Sequence, residues 1–222
     1  MHRFALVFDF DGTLADSLPL CLAANRAGLL RHTGRIFTVG EISAHFGVSE
    51  EGIMRRLAPE RWEACTKAYL EEYERDHDRL CPAPFPGMRE LLARLRARGL
   101  MLGLVTGKGA ASAEVSLRKL NLGPLFDGVR TGSPESDVKA QNLEALIREF
   151  EVGPDRAAYV GDFASDVRAA RRAGIKALAA AWAPQVNADQ LAGERPDALL
   201  RSIGELETWV DAWLARDADE AA

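Results

Sequence analysis

The sequence predicts an α/β protein with a doubly wound parallel sheet and a helical segment inserted near its amino terminus. Short apolar runs such as 4–8 alternate with amphipathic helical segments, and strands that alternate with helices form parallel sheets. Between residues 17 and 81, by contrast, helical spacing continues without any strand-like run. We therefore expect an α/β core built from 1–16 and 84–222, with a helical cap at 17–83.

Composition narrows the class of protein before any motif is considered. The 222 residues are 47% hydrophobic, which suits one globular core with an insertion. The formal net charge of -5 argues against a nucleic-acid partner and against an anionic membrane surface. We expect a cytoplasmic protein, because no apolar run spans a membrane and two aspartates interrupt the amino-terminal one. Composition does not reveal the oligomeric state.

The first strand carries the strongest chemical signal. Its apolar run, 4–8, reads as a buried strand and ends abruptly at Asp9 and Asp11. On an extended backbone, both side chains would leave from the same side, and paired carboxylates are costly unless a cation or a proton offsets them. One could act as a nucleophile and the other as a general acid and base, with Mg²⁺ neutralising the pair. The alternative is an ordinary turn after a strand.

Four helices are expected in the inserted stretch. Ser17 and Pro19 suit a helix start, and Thr38 suits the start of a second helix. The aromatic residues of the last helix are spaced for one face, which we interpret as core packing. The helices are expected at about 18–31, 39–46, 49–57 and 60–78.

The core then resumes as a regular alternation of strands and helices after a proline-rich linker, 82–87. Helices are expected at 88–98, 112–120, 139–150, 164–173 and 203–214, and further strands at 100–105, 128–131, 157–160, 176–181 and near 199–200. The polar tail 216–222 is expected to be frayed.

Further polar candidates follow these strands. Thr106 and Gly107 form a turn in which a hydroxyl and backbone N–H groups can bind phosphate oxygens, although such a turn also serves as plain helix capping. We expect the side chain of the next residue, Lys108, either to be solvated or to contact residues that bind the substrate without touching the substrate itself. Asp162 and Asp166 lie on a turn that enters a helix, where both can reach one cation or simply cap the helix.

Residues 9–17 read DFDGTLADS and resemble the first motif, DxDGTLxDS, of the haloacid dehalogenase superfamily. The resemblance implies a Rossmann-like core, with Asp9 as the nucleophile and Asp11 as the general acid and base. The aspartate at position 11 is similar to the phosphatase and phosphomutase branches of the superfamily. A helical cap inserted after the first strand is also found in this superfamily.

The later motifs extend the resemblance over nearly the whole chain. Residues 161–166 read GDFASD and resemble the fourth motif, GDxxxD, whereas Lys139 resembles the lysine of the third motif. Lys139 is followed by Ala140 and not by the proline usual in the phosphoglycolate phosphatase-like branch, and a surface lysine is the alternative. The resemblance implies phosphate binding by Thr106, Gly107 and Lys139, and a Mg²⁺ ion held by Asp9, Asp11, Asp162 and Asp166.

The function implied is a Mg²⁺-dependent phosphatase that acts on a small phosphorylated metabolite, similar to phosphoglycolate, through an aspartyl-phosphate. A phosphomutase, a pyrophosphatase or a catalytically silent binding protein remain as alternatives. Arg55 and Arg56 of the third helix are candidates for binding a substrate carboxylate, because arginine pairs with carboxylates through two parallel hydrogen bonds. The alternative is that both arginines are solvated surface charges.

Overall fold

The computed structural model describes residues 3–220, which contain a six-stranded parallel sheet. The order of the strands is β3-β2-β1-β4-β5-β6, and all the neighbours pair in parallel. The strands are β1 Ala5–Phe8, β2 Met101–Val105, β3 Gly128–Arg130, β4 Ala157–Gly161, β5 Lys176–Ala180 and β6 Ala198–Leu200. This arrangement confirms the predicted α/β class.

Strand β1 lies where the strand order reverses, between β2 and β4. Phe8, its last residue, is in register with Leu104 of β2 and with Val160 of β4. The three strands therefore end at one edge of the sheet, and the loops that follow them meet there. In open α/β sheets, ligands bind at this crevice beyond the carboxyl ends of the strands.

Helices cover both faces of the sheet, because the side chains of β1 alternate between two apolar cores. Leu6 and Phe8 belong to one core, and Ala5 and Val7 belong to the other. The first core packs against α5 (Met88–Ala97), α6 (Ala110–Lys119) and α10 (Ile203–Glu220). The second packs against α7 (Lys139–Glu149), α8 (Ala164–Arg172) and α9 (Ala188–Gly193). The sheet is thus doubly wound, as the sequence predicts.

Four helices stand between β1 and α5, and we call them the insert: α1 Leu18–Thr33, α2 Val39–Ser43, α3 Glu50–Leu57 and α4 Trp62–Leu80. Thr38 starts α2 with a capping box, in which its hydroxyl accepts from the N–H of Glu41 and its own N–H donates to the Glu41 side chain. The segments that lead into and out of the insert are tied together, because Phe85 N donates to Leu14 O at 2.9 Å.

Helices α1 and α4 pack closely enough that one position admits only glycine. Gly28 is buried on α1, and a β-carbon there would lie 2.8 Å from the carbonyl oxygen of Cys65 on α4 and 2.9 Å from Tyr69 N. The rings of Tyr69 and Tyr73 are fully buried with their centroids 5.5 Å apart. The interpretation of the aromatic stripe as core packing is confirmed.

Local differences from the sequence prediction have simple causes. Ser17 makes no capping hydrogen bond, because its hydroxyl is engaged by Asp11. Helix α2 ends at Ser43, three residues early, and the short α9 was not foreseen. Helix α10 continues to Glu220, so the prediction of a frayed tail is wrong for 216–220, whereas 221–222 lie outside the described residues. Within residues 3–220, no helix is long and apolar enough to cross a membrane.

The close packing of α1 on α4 predicts a large effect of one methyl group. We expect Gly28→Ala to lower the free energy of unfolding by about 1–3 kcal/mol, because the added carbon overlaps the backbone of α4. Gly40→Ala is the matched control: Gly40 lies in α2 with open space around it, so alanine should be neutral or stabilising by up to about 1 kcal/mol. Urea unfolding curves give the free energy of unfolding of each variant. Equal values for Gly28→Ala and Gly40→Ala would contradict the close packing of α1 on α4.

Candidate active site

The loops after β1, β2 and β4 meet at the carboxyl edge of the sheet and form the floor of a pocket. The pocket has a volume of about 490 Å³, and the insert supplies its opposite wall. Asp9, Asp11 and Asp162 line the core side, whereas Phe46 and Ile53 line the insert side. Most of the residues that the motifs single out are therefore brought to one cavity.

Asp9 is buried at the centre of this floor. Its Oδ1 accepts the N–H of Phe10 at 2.7 Å, and its Oδ2 accepts Lys139 Nζ, also at 2.7 Å. Lys139 donates to Asp166 Oδ1 as well, at 2.5 Å. Lys139 is the first residue of α7 and is itself buried, so it is not the surface lysine that the sequence left open as an alternative.

A cluster of buried carboxylates adjoins Lys139. Asp9, Asp162 and Asp166 each offer a carboxylate oxygen, and these oxygens lie within 4.8 Å of one another. Thr13 Oγ1 donates to Asp162 at 3.3 Å, and Phe163 N donates to Asp166 at 2.9 Å, which orients both side chains. Hard oxygen donors converging in this way fit a divalent cation such as Mg²⁺.

The pKa shifts of the clustered carboxylates indicate that Lys139 alone does not compensate their negative charge. Burial raises the pKa of Asp9 to about 6, against the attraction of Lys139, which lowers it. Burial and the neighbouring carboxylates of Asp166 and Asp9 hold the pKa of Asp162 well above its usual range. Burial disfavours the charged form of Lys139, but Asp166 and Asp9 raise its pKa well above the ordinary value. A cation bound here would favour the ionised form of all three carboxylates.

Asp11 is held by a separate set of donors, so its carboxylate lies outside the cluster of three. Its Oδ1 accepts Ser17 Oγ at 2.5 Å, Lys108 Nζ at 3.2 Å and the Cys21 thiol at 3.4 Å. Burial acts to raise the pKa of Asp11, but Lys108 and these hydrogen bonds outweigh it and lower the pKa. Among residues 3–220, all the side-chain hydrogen bonds to this carboxylate go to Oδ1 and none to Oδ2, and Asp11 lines the pocket.

Of the two expectations for Lys108, the solvated position is wrong, and its contact with Asp11 agrees with a place behind that residue. Lys108 is only 3% exposed, and its Nζ lies 3.8 Å from Glu50 Oε1 and 4.6 Å from the centre of the Tyr73 ring. Glu50 and Tyr73 both belong to the insert, 58 and 35 residues before Lys108 in the chain. No local sequence pattern around Lys108 therefore predicts these contacts.

The remaining phosphate-binding candidates divide between the pocket wall and the interior. Gly107 lines the pocket. Thr106 is buried beside it, and its Oγ1 accepts the N–H of Lys108 at 3.3 Å. The hydroxyl thus shapes the turn that presents the following backbone to the pocket.

Arg55 and Arg56 do not line the pocket and point to the loop that follows β3. Arg55 pairs with Glu51 at 2.5 Å and with Glu135 at 3.4 Å, and its guanidinium stacks on Trp62 at 4.5 Å from the ring centre. Arg56 donates to Glu135 O at 3.1 Å. Both side chains are exposed and contact the loop after β3, so the structure favours the alternative of surface charges over a place in the pocket.

Some pocket residues were missed by the sequence analysis because they carry no motif. Gln185 and Asn187, from the segment before α9, line the pocket together with Phe163 of the GDFASD motif, which is 41% exposed. On the insert side, Asn25 Oδ1 is buried without a hydrogen-bond partner within the described chain. An unpaired buried acceptor is the signal that marks Asn25, and it is visible only in three dimensions.

Comparison with known proteins shows the family. The model of the haloacid dehalogenase-like hydrolase family matches residues 6–180, which include Asp9, Asp11, Thr106, Lys139, Asp162 and Asp166. The chain belongs to this family. The predictions of a haloacid dehalogenase-like fold and of an enzyme of the hydrolase class are confirmed.

Individual relatives agree with this assignment. A phosphoglycolate phosphatase of Synechococcus elongatus is 32% identical over 204 residues, covering 91% of this chain and 94% of its own. A protein of Caldanaerobacter subterraneus with a provisional pyrophosphatase name, PpaX, is 27% identical and covers 93% of this chain and 94% of its own. The crystal structure of a predicted phosphoglycolate phosphatase of Haemophilus somnus superposes with a TM-score of 0.80 at 18% identity, covering 95% and 99% of the two chains. At that identity, the likeness speaks for the fold alone.

The carboxylate cluster depends on a glycine that leaves it room. Gly12 has φ +73°, and a β-carbon there would overlap Asp162 Oδ2. We expect Gly12→Ala to weaken Mg²⁺ binding at least tenfold in a calorimetric titration, about the loss seen when the support of a metal ligand is removed. Gly174→Ala is the control, because Gly174 has the same φ of +73° with nothing within 4 Å. It should lose stability but bind Mg²⁺ normally, and equal affinities in the two variants would contradict the role given to Gly12.

Proposed function

We propose that the protein is a Mg²⁺-dependent phosphatase that hydrolyses a small phosphomonoester through an aspartyl-phosphate on Asp9. The observation that carries the proposal is the placing of Asp9 between Lys139 and the carboxylates of Asp162 and Asp166, at the floor of a pocket. The names of the relatives support a phosphorylated substrate, and phosphoglycolate is the first compound to test.

In the first step, a carboxylate oxygen of Asp9 attacks the phosphorus atom, and the bond between phosphorus and the leaving oxygen breaks. Lys139 lies 2.7 Å from Asp9 and supplies positive charge beside the transferring group, while the backbone N–H of Gly107 binds one of its oxygens. The protonated form of Asp11, which Lys108 and Ser17 disfavour by lowering its pKa, gives its proton to the leaving oxygen from Oδ2, the atom that accepts no hydrogen bond from the described residues. When bound, Mg²⁺ would be held by Asp9, Asp162 and Asp166 and would offset the negative charge of the phosphoryl group and of these carboxylates.

In the second step, Asp11 accepts a proton from water as the water oxygen attacks phosphorus, and Asp9 leaves as a carboxylate. Phosphate is then released, and Asp11 is again protonated for the next turnover. Because Asp11 acts first as acid and then as base, its proton must pass to the leaving group before water enters. The insert, which forms the far wall of the pocket, would serve as the cap over 17–83 that excludes bulk water between the two steps.

The alternatives from the sequence make different predictions about products. A phosphomutase of this fold would pass the phosphoryl group to a second substrate faster than to water, and a pyrophosphatase would take inorganic pyrophosphate as its best substrate. A silent binding protein would turn over neither. The paired carboxylates Asp9 and Asp11 favour catalysis over binding alone. Two carboxylates beside a bound phosphate weaken the affinity for that phosphate, so a protein that only binds it has no use for them, whereas an enzyme needs them for the reaction. A cytoplasmic location and the oligomeric state stay untested.

Asp9→Asn tests the covalent step. An amide matches the carboxylate in shape but is no nucleophile, so we expect turnover of p-nitrophenyl phosphate to fall by about 10³-fold or more, with an unchanged thermal unfolding curve. Asp189→Asn is the control, since Asp189 lies in α9 near the pocket but does not line it, and this variant should keep wild-type rates. Residual activity above a tenth of wild type in Asp9→Asn would rule out the aspartyl-phosphate.

The carboxylate cluster predicts a strict requirement for Mg²⁺. We expect EDTA to abolish turnover and added Mg²⁺ to restore it, while Ca²⁺ should inhibit, because Ca²⁺ prefers more ligands and a looser shell than in-line transfer tolerates. Initial rates at increasing concentrations of each ion provide the measurement. A rate that is the same in EDTA and in Mg²⁺ would remove the metal from the proposal and leave Lys139 as the main source of positive charge.

A further inference from the structure

A buried lysine joins a carboxylate of the core to a carboxylate of the insert. Lys108 Nζ lies 3.2 Å from Asp11 Oδ1 and 3.8 Å from Glu50 Oε1. Glu50 is buried too, with 8% of its surface exposed. Because a buried ammonium is stable only with compensating charge around it, Lys108 is shared between two carboxylates that come from opposite sides of the pocket.

Glu50 stands in the first turn of α3 in the insert, yet its shortest hydrogen bonds come from the core. Its Oε2 accepts Gly109 N at 2.6 Å, and its Oε1 accepts Ser112 Oγ at 2.6 Å, whereas Tyr69 of the insert donates at 3.1 Å. Gly109 immediately precedes α6, and the partial positive charge at a helix start favours a carboxylate there. These contacts exist only while α3 is seated on the core.

Both ends of α3 also contact the loop that leads to Lys139. Ser49 N donates to Ser133 O at 2.9 Å, and Arg56 donates to Glu135 O at 3.1 Å. Helix α3 thus contacts the core at two places. Glu50 lies beside Lys108 and Asp11, and Ser49 and Arg56 contact the loop before Lys139. Of these, Glu50 alone brings a buried charge within ion-pair distance of the lysine that holds Asp11.

We infer that Glu50 is a positioning residue, which acts through Lys108 to set the orientation of Asp11 when α3 is docked on the core. While Glu50 shares Lys108, the ammonium is drawn partly to the insert, and Asp11 keeps its Oδ2 turned to the pocket. When α3 leaves, Lys108 pairs with Asp11 alone and draws its carboxylate away from the leaving oxygen. This inference rests on the proposed function, because it assigns to Asp11 the proton that the leaving group receives.

The experiment compares two matched aryl phosphates that differ in how much they need that proton. The p-nitrophenolate ion leaves readily without a proton, whereas phenolate leaves far less readily. In Glu50→Gln, which keeps the shape but removes the charge, we expect kcat for phenyl phosphate to fall about tenfold, with at most a twofold change for p-nitrophenyl phosphate and an unchanged KM for both. Equal losses on the two substrates would overturn the inference, because a disturbed pocket or cap would slow both alike.

Two further variants secure the comparison. Glu51→Gln is the control, since Glu51 is the next residue of α3 but pairs with Arg55 outside the pocket, and it should behave as wild type on both substrates. Ser112→Ala removes one hydrogen bond from Glu50 and leaves its charge in place, so it should show the same selective loss at a smaller size, about threefold. If Glu50→Gln does not fold, Ser112→Ala decides in the same way.

The outcomes also separate this inference from the proposed function. A wild-type protein that hydrolyses neither aryl phosphate would overturn the phosphatase proposal and the inference with it. An active wild type whose Glu50→Gln and Ser112→Ala variants lose both substrates equally would overturn the inference alone. Selective loss on phenyl phosphate in both variants, with Glu51→Gln unaffected, supports it.

Discussion

A cluster of three buried carboxylates, two of which share the ammonium of Lys139, is the constraint on which this structure depends. Asp9, Asp162 and Asp166 come from two strand ends, and bringing them together out of water is unfavourable unless positive charge compensates. The fold meets part of that cost with Lys139 and with backbone N–H groups such as that of Phe163. A bound cation would offset the remainder of the cost, which is why the proposed function assigns Mg²⁺ to this cluster.

The sheet makes this concentration of charge possible. Its order places β1 between β2 and β4, so three loops end at one edge, and their apolar strands anchor the polar residues from below. Asp9 follows directly from a fully buried strand, which fixes its backbone on both sides through β2 and β4. Rigidity of this kind keeps reacting groups in place without help from the ligand. The site is therefore built on strand ends and completed by helix starts at Lys139 and Ala164.

Much of this could be predicted from the sequence, because the signals were local. The run 4–8 followed by two aspartates indicates a buried strand and its polar end, and the GDFASD turn indicates a second pair of carboxylates. Lys139 emerged only through the family resemblance, since a lysine at a helix start has no local property that marks it as buried. These features lie within a few residues of one another in the chain or repeat a known pattern.

What the sequence could not reveal were contacts between distant segments. The burial of Lys108 depends on Glu50 and Tyr73, and an amphipathic pattern in α3 says which face is apolar but not which loop the other face meets. For the same reason, the sequence left open whether Arg55 and Arg56 bind a substrate or are surface charges, and both are found against Glu135. The helix α9 is short and its sequence polar, so tertiary packing of Leu191 decides its conformation.

The hydrogen bond between Phe85 and Leu14 has a consequence for how such a molecule can diversify. Because the chain leaves the core and returns to it at one point, the stretch between them is a module with adjacent ends. A different module of similar span could be grafted there without altering the strand that leads to Asp9. The insert and the carboxylate cluster are thus encoded in separable parts of the gene, and any exchanged module must reproduce the contacts of α3 and α4 with the core.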